Sequence, residues 1–238
     1  MKTEKDYLAM QKKYYSKFGS ENDNELKRCI GGYGTHQKFP YEKYLLKNVK
    51  NPENKIALDF GCGSGRMILR MGKLMKRVDG VDIGANLIKG AKRWTKDMKN
   101  KPLLYVNDGK NLNGILNNTY DLVFCTISFH HIAPYSIRLN LLKEFFRVLK
   151  VDGKVALQLF YTNQARSEWK QHVNWLDNPY NAKGTNSSCD VRITPQNLPD
   201  VEKTFIDVGF INFEYKLVEF PPKSPNYTHS IYLYAEKC

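Results

Sequence analysis

The stretch Ile56-Ala57-Leu58-Asp59-Phe60-Gly61-Cys62-Gly63-Ser64-Gly65-Arg66 decides the fold. Ile56 to Phe60 is a short apolar run that ends in a turn, the pattern of a buried strand. Three glycines follow at alternate positions, and Met67, Ile68, Leu69, Met71 and Leu74 then recur at helical spacing. Strand, glycine loop and helix together form a cradle for nucleotide-like ligands. Glycine lets the backbone turn sharply and approach the ligand, which then faces the helix N-terminus. An acidic residue at the end of the next strand should hold ribose hydroxyls. Asp82, in Gly80-Val81-Asp82-Ile83, lies 21 residues after Gly61, as that arrangement requires.

Two ligand classes compete for such a loop. A dinucleotide fingerprint places a small residue at its third position. Arg66 stands there and is too large for that close helix–strand contact. The pattern Asp59-x-Gly61-x-Gly63-x-Gly65, with Asp82 after it, instead resembles motif I of the class I S-adenosylmethionine-dependent methyltransferases. The resemblance implies a Rossmann-like α/β fold, a seven-stranded, mostly parallel sheet with helices on both faces and an antiparallel last strand. It implies S-adenosyl-L-methionine as cofactor and S-adenosyl-L-homocysteine as product. It also places Asp59, Gly61, Cys62, Gly63 and Gly65 at the methionine end and Asp82 with Ile83 at the ribose. Asn107, Asp108 and Gly109 fall at the adenine, and Cys125, Thr126 and Ile127 beside the cofactor.

The chain has 238 residues, enough for one α/β domain with additions. No apolar run is long enough for a membrane helix, and the charged N-terminus lacks the apolar core of a signal peptide. Five cysteines, at 29, 62, 125, 189 and 238, include no C-x-x-C. The expectation is free thiols in a reducing cytoplasm and no metal site. Net charge is +13, with lysine far outnumbering arginine. A polyanionic partner such as RNA is one reading of that charge, and a lysine-rich solvated surface is the other.

Residues 4–18 read as an amphipathic helix with an aromatic edge, and 41–49 as a short second helix after Pro40. Residues 1–50 are therefore a helical extension before the domain at 51–238, suited to a lid over the methyl donor. Tyr14, Tyr15, Phe18 and Tyr33 are its candidates for facing a sulfonium, a contact worth ~0.5–2 kcal/mol. Further along come helix 85–97, strand 103–106, strand 120–126, helix 135–149, a turn at 151–154 and strand 155–160. Helix 198–208 and strands 211–219 and 229–236 close the chain.

Periodicity fails from 162 to 197, and a long irregular insert there suits acceptor recognition. Trp169, Trp175 and Tyr180 offer rigid walls, with Arg192 as a polar handle. Asp177-Asn178-Pro179-Tyr180 also resembles the [DNS]-P-P-[YF] motif of base-directed amino-methyltransferases, but it lies after strand five rather than strand four. The base candidates are His130, His131, His172 and Asp177, since imidazole titrates near neutrality. The leading expectation is methyl transfer to an O or N nucleophile of a small molecule. RNA methylation and a non-catalytic cofactor- or nucleic-acid-binding module are the alternatives.

Overall fold

The computed structural model describes residues 2–18, 39–163, 173–180, 191–224 and 227–238; for 220–224 and 227–228 only the backbone is described. Its strands are β1 (Ile56–Phe60), β2 (Arg77–Asp82), β3 (Leu104–Val106), β4 (Tyr120–Cys125), β5 (Leu149–Tyr161), β6 (Arg192–Ile193), β7 (Phe210–Ser224) and β8 (Tyr227–Lys237). They form one sheet in the order β3-β2-β1-β4-β5-β8-β7, with β6 paired to the end of β5. The sheet thus has eight strands rather than seven, because Phe160 and Tyr161 extend far enough to pair with Arg192 and Ile193. β8 is antiparallel to both β5 and β7, and the other pairs are parallel.

The helices are α1 (Glu4–Tyr15), α2 (Tyr41–Leu45), α3 (Arg66–Met71), α4 (Ala85–Trp94), α5 (Tyr135–Val148) and α6 (Leu198–Val208). α1 starts in a capping box, where Thr3 and Asp6 exchange backbone and side-chain hydrogen bonds. The sheet separates two apolar layers. On one face Leu141, Leu142 and Phe145 of α5 and Val201 and Phe205 of α6 pack on Leu58, Val123, Val155 and Leu157. On the other, Tyr41 and Leu45 of α2 and Met67, Ile68 and Met71 of α3 cover Ala57, Phe124, Ala156 and Tyr232. Alternation along each strand assigns every residue to one layer.

The turn expected at 151–154 is instead a bulge inside β5. Pairing jumps from Tyr120–Leu149 to Leu122–Lys154, and Asp152 takes a left-handed φ of 60° to accommodate the extra residues. Part of the irregular insert also proves to be core. Trp175 is fully buried, its indole N–H donates to Thr204 Oγ1 at 2.9 Å, and the Arg138 guanidinium lies 5.0 Å from its ring. Arg138 also donates to the carbonyls of Ile132, Ala133 and Trp175. Trp175 therefore anchors residues 173–180 to α5 and is no wall of an open pocket. Truncating a buried tryptophan costs ~3–5 kcal/mol.

Among the described residues no helix is long and apolar enough to cross a membrane. No group of three or more His, Cys, Asp or Glu among them is arranged around a metal ion.

Candidate functional site

β1 lies between β2 and β4, so strand order reverses there and a crevice opens at the carboxyl ends. Gly61 and Cys62 donate their N–H groups to the Val81 carbonyl at 2.8 and 3.1 Å, which ties the glycine loop to β2. Gly61, Gly63 and Gly65 have φ of 72°, 54° and 90°. A Cβ on Gly61 would fall 2.3 Å from Ser128 Cβ, whereas one on Gly63 would meet nothing within 4 Å. The backbone at Gly63 therefore borders open space, as a ligand cradle requires. Ile127, just beyond β4, has φ of 68°, a strained conformation for a β-branched residue.

Asp82 organises the loop. One carboxylate oxygen accepts from Gly63 N–H at 2.9 Å and the other from Gly84 N–H at 2.8 Å. Burial raises its pKa against these bonds. Asp59 is 1% exposed, and its Oδ2 has no hydrogen-bond partner. Burial lifts its pKa well above the carboxylate range, Arg66 opposes that shift, and Asp82 adds to it. A buried polar atom left unpaired costs ~1–3 kcal/mol, so Asp59 is poised for a ligand donor.

The crevice has two lobes. The inner one, about 70 Å³, is bounded by Tyr7, Leu8, Gln11 and Tyr15 of α1, Phe60 and Gly61, Asp82 and Ile83, Asn107 and Gly109, and Ser128, His131 and Ile132. The outer one, about 340 Å³, takes in Tyr14, Phe18, Asp59, Cys62, Gly63, Arg66, Met67, Leu87, Thr126 and Ile127, and shares Tyr15, Gly61, Asp82, Ser128 and His131 with the inner lobe. α1 is tied over the crevice at three points. Tyr7 OH accepts from Ala133 N–H at 3.0 Å and donates to the His131 carbonyl at 3.3 Å. Lys110 pairs with Glu4 at 2.7 Å, and Asn86 donates to the Ser16 carbonyl at 2.8 Å.

The residues singled out in the sequence divide accordingly. Asp59, Gly61, Cys62, Gly63, Asp82, Ile83, Asn107, Gly109, Thr126, Ile127, Tyr14, Tyr15 and His131 meet at the crevice. Gly65, Asp108 and Cys125 border neither lobe. Gly65 starts α3 beside Ala91, and Cys125 is core, its thiol pushed up by burial. Asp108 is exposed and closes its own turn, accepting from Lys110 N–H, Asn111 N–H and Asn111 Nδ2 at 2.9, 2.7 and 2.7 Å. Burial works against those bonds, but they win and hold its carboxyl below the usual range.

Asp177 is exposed and caps a turn through Asn174 N–H at 2.9 Å. Tyr180 shares a hydrogen bond with Ser136 Oγ at 2.9 Å, and Arg192 is buried in β6. Neither these nor Trp175 reaches the lobes. His130 is fully buried and kept neutral by that burial, its ring 4.1 Å from that of His131. Tyr33, Trp169 and His172 lie outside the described residues.

Tyr7, Gln11, Arg66 and Ser128 were not foreseen. Tyr7, Gln11 and Tyr15 recur every fourth residue on one helical face, so that signal was present. Nothing local marks Ser128, whose hydroxyl donates to the Gly61 carbonyl at 3.0 Å.

Comparison with known proteins agrees with this geometry. Residues 58–157 match the family described as "Methyltransferase domain". A probable methyltransferase of Aspergillus luteorubrus is 32% identical over 121 residues, 48% of this chain and 42% of that protein. The demethylmenaquinone methyltransferase of Staphylococcus saprophyticus is 31% identical over 122 residues, 50% of each. The chain thus spans about half the length of the curated relatives it matches. The magnesium protoporphyrin IX methyltransferase of Synechocystis PCC 6803, solved with bound S-adenosylmethionine, superposes with a TM-score of 0.64 at 16% identity. That superposition covers 98% of this chain and 97% of that one, and it shows a common fold.

Proposed function

This chain belongs to the class I S-adenosylmethionine-dependent methyltransferases, and we propose that it transfers a methyl group to an oxygen or nitrogen of a small-molecule acceptor. The observation that carries the reading is the buried, unpartnered Asp59 oxygen beside a positive-φ glycine loop that borders open space. A carboxylate so placed suits the ammonium of the donor's methionine end, and Arg66 beside it suits the carboxylate. Asp82 keeps lone pairs for ribose hydroxyls, because each carboxylate oxygen can accept twice. Asn107 and Gly109 bring backbone to the inner lobe, where the adenine fits. The unpaired Gln11 Nε2 on the facing wall adds a donor.

Bound there, S-adenosylmethionine supplies a methyl carbon already activated by its sulfonium. The protein must then hold a nucleophile about 3 Å from that carbon, opposite the sulfur. His131 touches both lobes and can take the nucleophile's proton. Calorimetry should show binding of S-adenosylmethionine and S-adenosylhomocysteine, and labelled methyl should pass into one fraction of host metabolites. Absence of binding by either cofactor form would overturn the reading.

A second reading, methylation of RNA, draws on the exposed Lys89, Lys92, Lys96 and Lys99 on and after α4. Label in the RNA fraction, with affinity falling steeply as salt rises, would favour it.

A further inference from the structure

Just beyond β4 the chain makes a three-residue turn centred on Ile127. Ser128 N–H donates back to the Thr126 carbonyl at 2.8 Å, and Ile127 has a φ of 68°. That is the strained form of such a turn, and a β-branched residue tolerates it poorly. The turn is held from both sides. Cys125 and Phe129 are fully buried in one apolar layer. Ser128 Oγ donates to the Gly61 carbonyl at 3.0 Å, and the Ser128 carbonyl accepts from His131 N–H at 3.1 Å. Ile127 itself is half-buried and lines the outer lobe. Among the described residues it packs on neither apolar layer. Glycine would adopt this φ without strain. Core packing does not offset the strain of an isoleucine here, so the stability of the fold does not account for the residue.

Other apolar side chains share that position. Tyr14 of α1, Phe18 just beyond it and Leu87 of α4 also line the outer lobe and, among the described residues, join neither layer. The Tyr14 and Phe18 rings lie 5.2 Å apart. The outer lobe thus has two characters. Asp59, Gly63, Arg66 and Asp82 give it a polar side that suits the donor's methionine end and ribose. The apolar group is left over once the donor is placed, and it borders a space of the same lobe. Tyr14, Phe18 and Ile127 are only half-buried, so an apolar occupant would remove their remaining surface from water. Two adjacent rings add a preference for a ring in that occupant. His131, four residues after Ile127, lines the same lobe, within which the methyl must be transferred.

We propose that Ile127 is a specificity-determining residue of the acceptor site, and that the acceptor carries an apolar ring system seated in the outer lobe against Ile127, Tyr14 and Phe18. The assignment rests on the methyltransferase reading above. The probe is 2-naphthol, two fused rings with one hydroxyl, added to protein saturated with S-adenosylhomocysteine and followed by calorimetry. It should bind, and Ile127→Ala, Ile127→Gly and Phe18→Ala should each weaken it about tenfold through lost apolar contact. S-adenosylhomocysteine affinity should stay within about threefold in all three, since the polar side of the lobe is untouched. In the cofactor-free protein Ile127→Gly should melt above Ile127→Ala, because only glycine releases the strain. A residue kept for packing alone would give the reverse order, with the larger deletion the less stable. Wild type that fails to bind 2-naphthol overturns the assignment, as does unaltered 2-naphthol affinity in the Ile127 variants or in Phe18→Ala. Ile127→Gly that melts below Ile127→Ala or fails to fold overturns it too. Loss of S-adenosylhomocysteine affinity as large as the loss of 2-naphthol would move Ile127 to the cofactor and reject its acceptor role. Failure of wild type to bind S-adenosylhomocysteine would instead reject the methyltransferase reading itself.

Discussion

At the end of β2, Asp82 commits both carboxylate oxygens to the backbone of its own loops. Across the sheet, Gln158, Tyr232 and His130 leave polar atoms unpaired on β5, β8 and the turn after β4. Both sets are buried. The first spends its hydrogen bonds on shaping a cradle before any ligand arrives, so it is preorganised. The second leaves donors and acceptors unpaired within the fold itself and costs the protein stability. Asp59 stands between the two, at the crevice like Asp82 but with one oxygen unpaired.

Removing the organiser should do most damage. Asp82→Ala deletes the acceptor of two backbone N–H groups as well as the expected ribose contact. Charge-assisted bonds are worth roughly 1.5–3 kcal/mol, so affinity for S-adenosylmethionine and S-adenosylhomocysteine should fall about 10- to 150-fold alike. Unchanged calorimetric affinity in the folded variant would erase the distinction between the bonded and the unpaired region.

The glycine loop sharpens the same contrast. Gly61→Ala drives a Cβ to within 2.3 Å of Ser128 Cβ and should cost ~1–3 kcal/mol of stability. Gly63→Ala meets no atom and pushes an L-residue to a φ of 54°, a strain of about 1–2 kcal/mol. Chemical denaturation should therefore find Gly61→Ala the less stable of the two. Cofactor titration should find Gly63→Ala strongly impaired despite its milder fold defect. A Gly63→Ala protein with normal cofactor affinity would mean that the space beside it is solvent and no cradle.

The smallest effect concerns Asp59. Burial lifts its pKa above the 3.8 of an unfolded chain, so folding takes up a proton between those two values. Its contribution favours the native state below 3.8 and is lost as pH rises through the raised value. Asp59→Asn should thus raise the cofactor-free melting temperature at neutral pH, by about 2–4 °C for each kcal/mol recovered. That advantage should fade as pH is lowered toward 3.8, while cofactor affinity drops at neutral pH. A variant less stable than wild type at neutral pH would show that the carboxylate is structurally paired, on Asp82's side of the comparison.

Much of this was legible in the chain. Strand β1, the glycine loop, Asp82 at the end of β2, α4 and α6 all announce themselves locally, because periodicity, turn chemistry and short spacing act within about 30 residues. The same locality marks Asp59, which stands two positions before the first glycine and does line the crevice. Tertiary structure alone decided the rest. Trp175 looks in sequence like a pocket wall, yet Arg138, 37 residues earlier, and Thr204, 29 later, bury it as core. Asp108 looks like an adenine ligand, yet its own turn takes up its carboxylate. Gln158, Tyr232 and His130 carry no local motif at all. Their common feature, a missing partner, is set by what β-pairing and helix packing bring near them, and no spacing in one chain encodes an absence of neighbours.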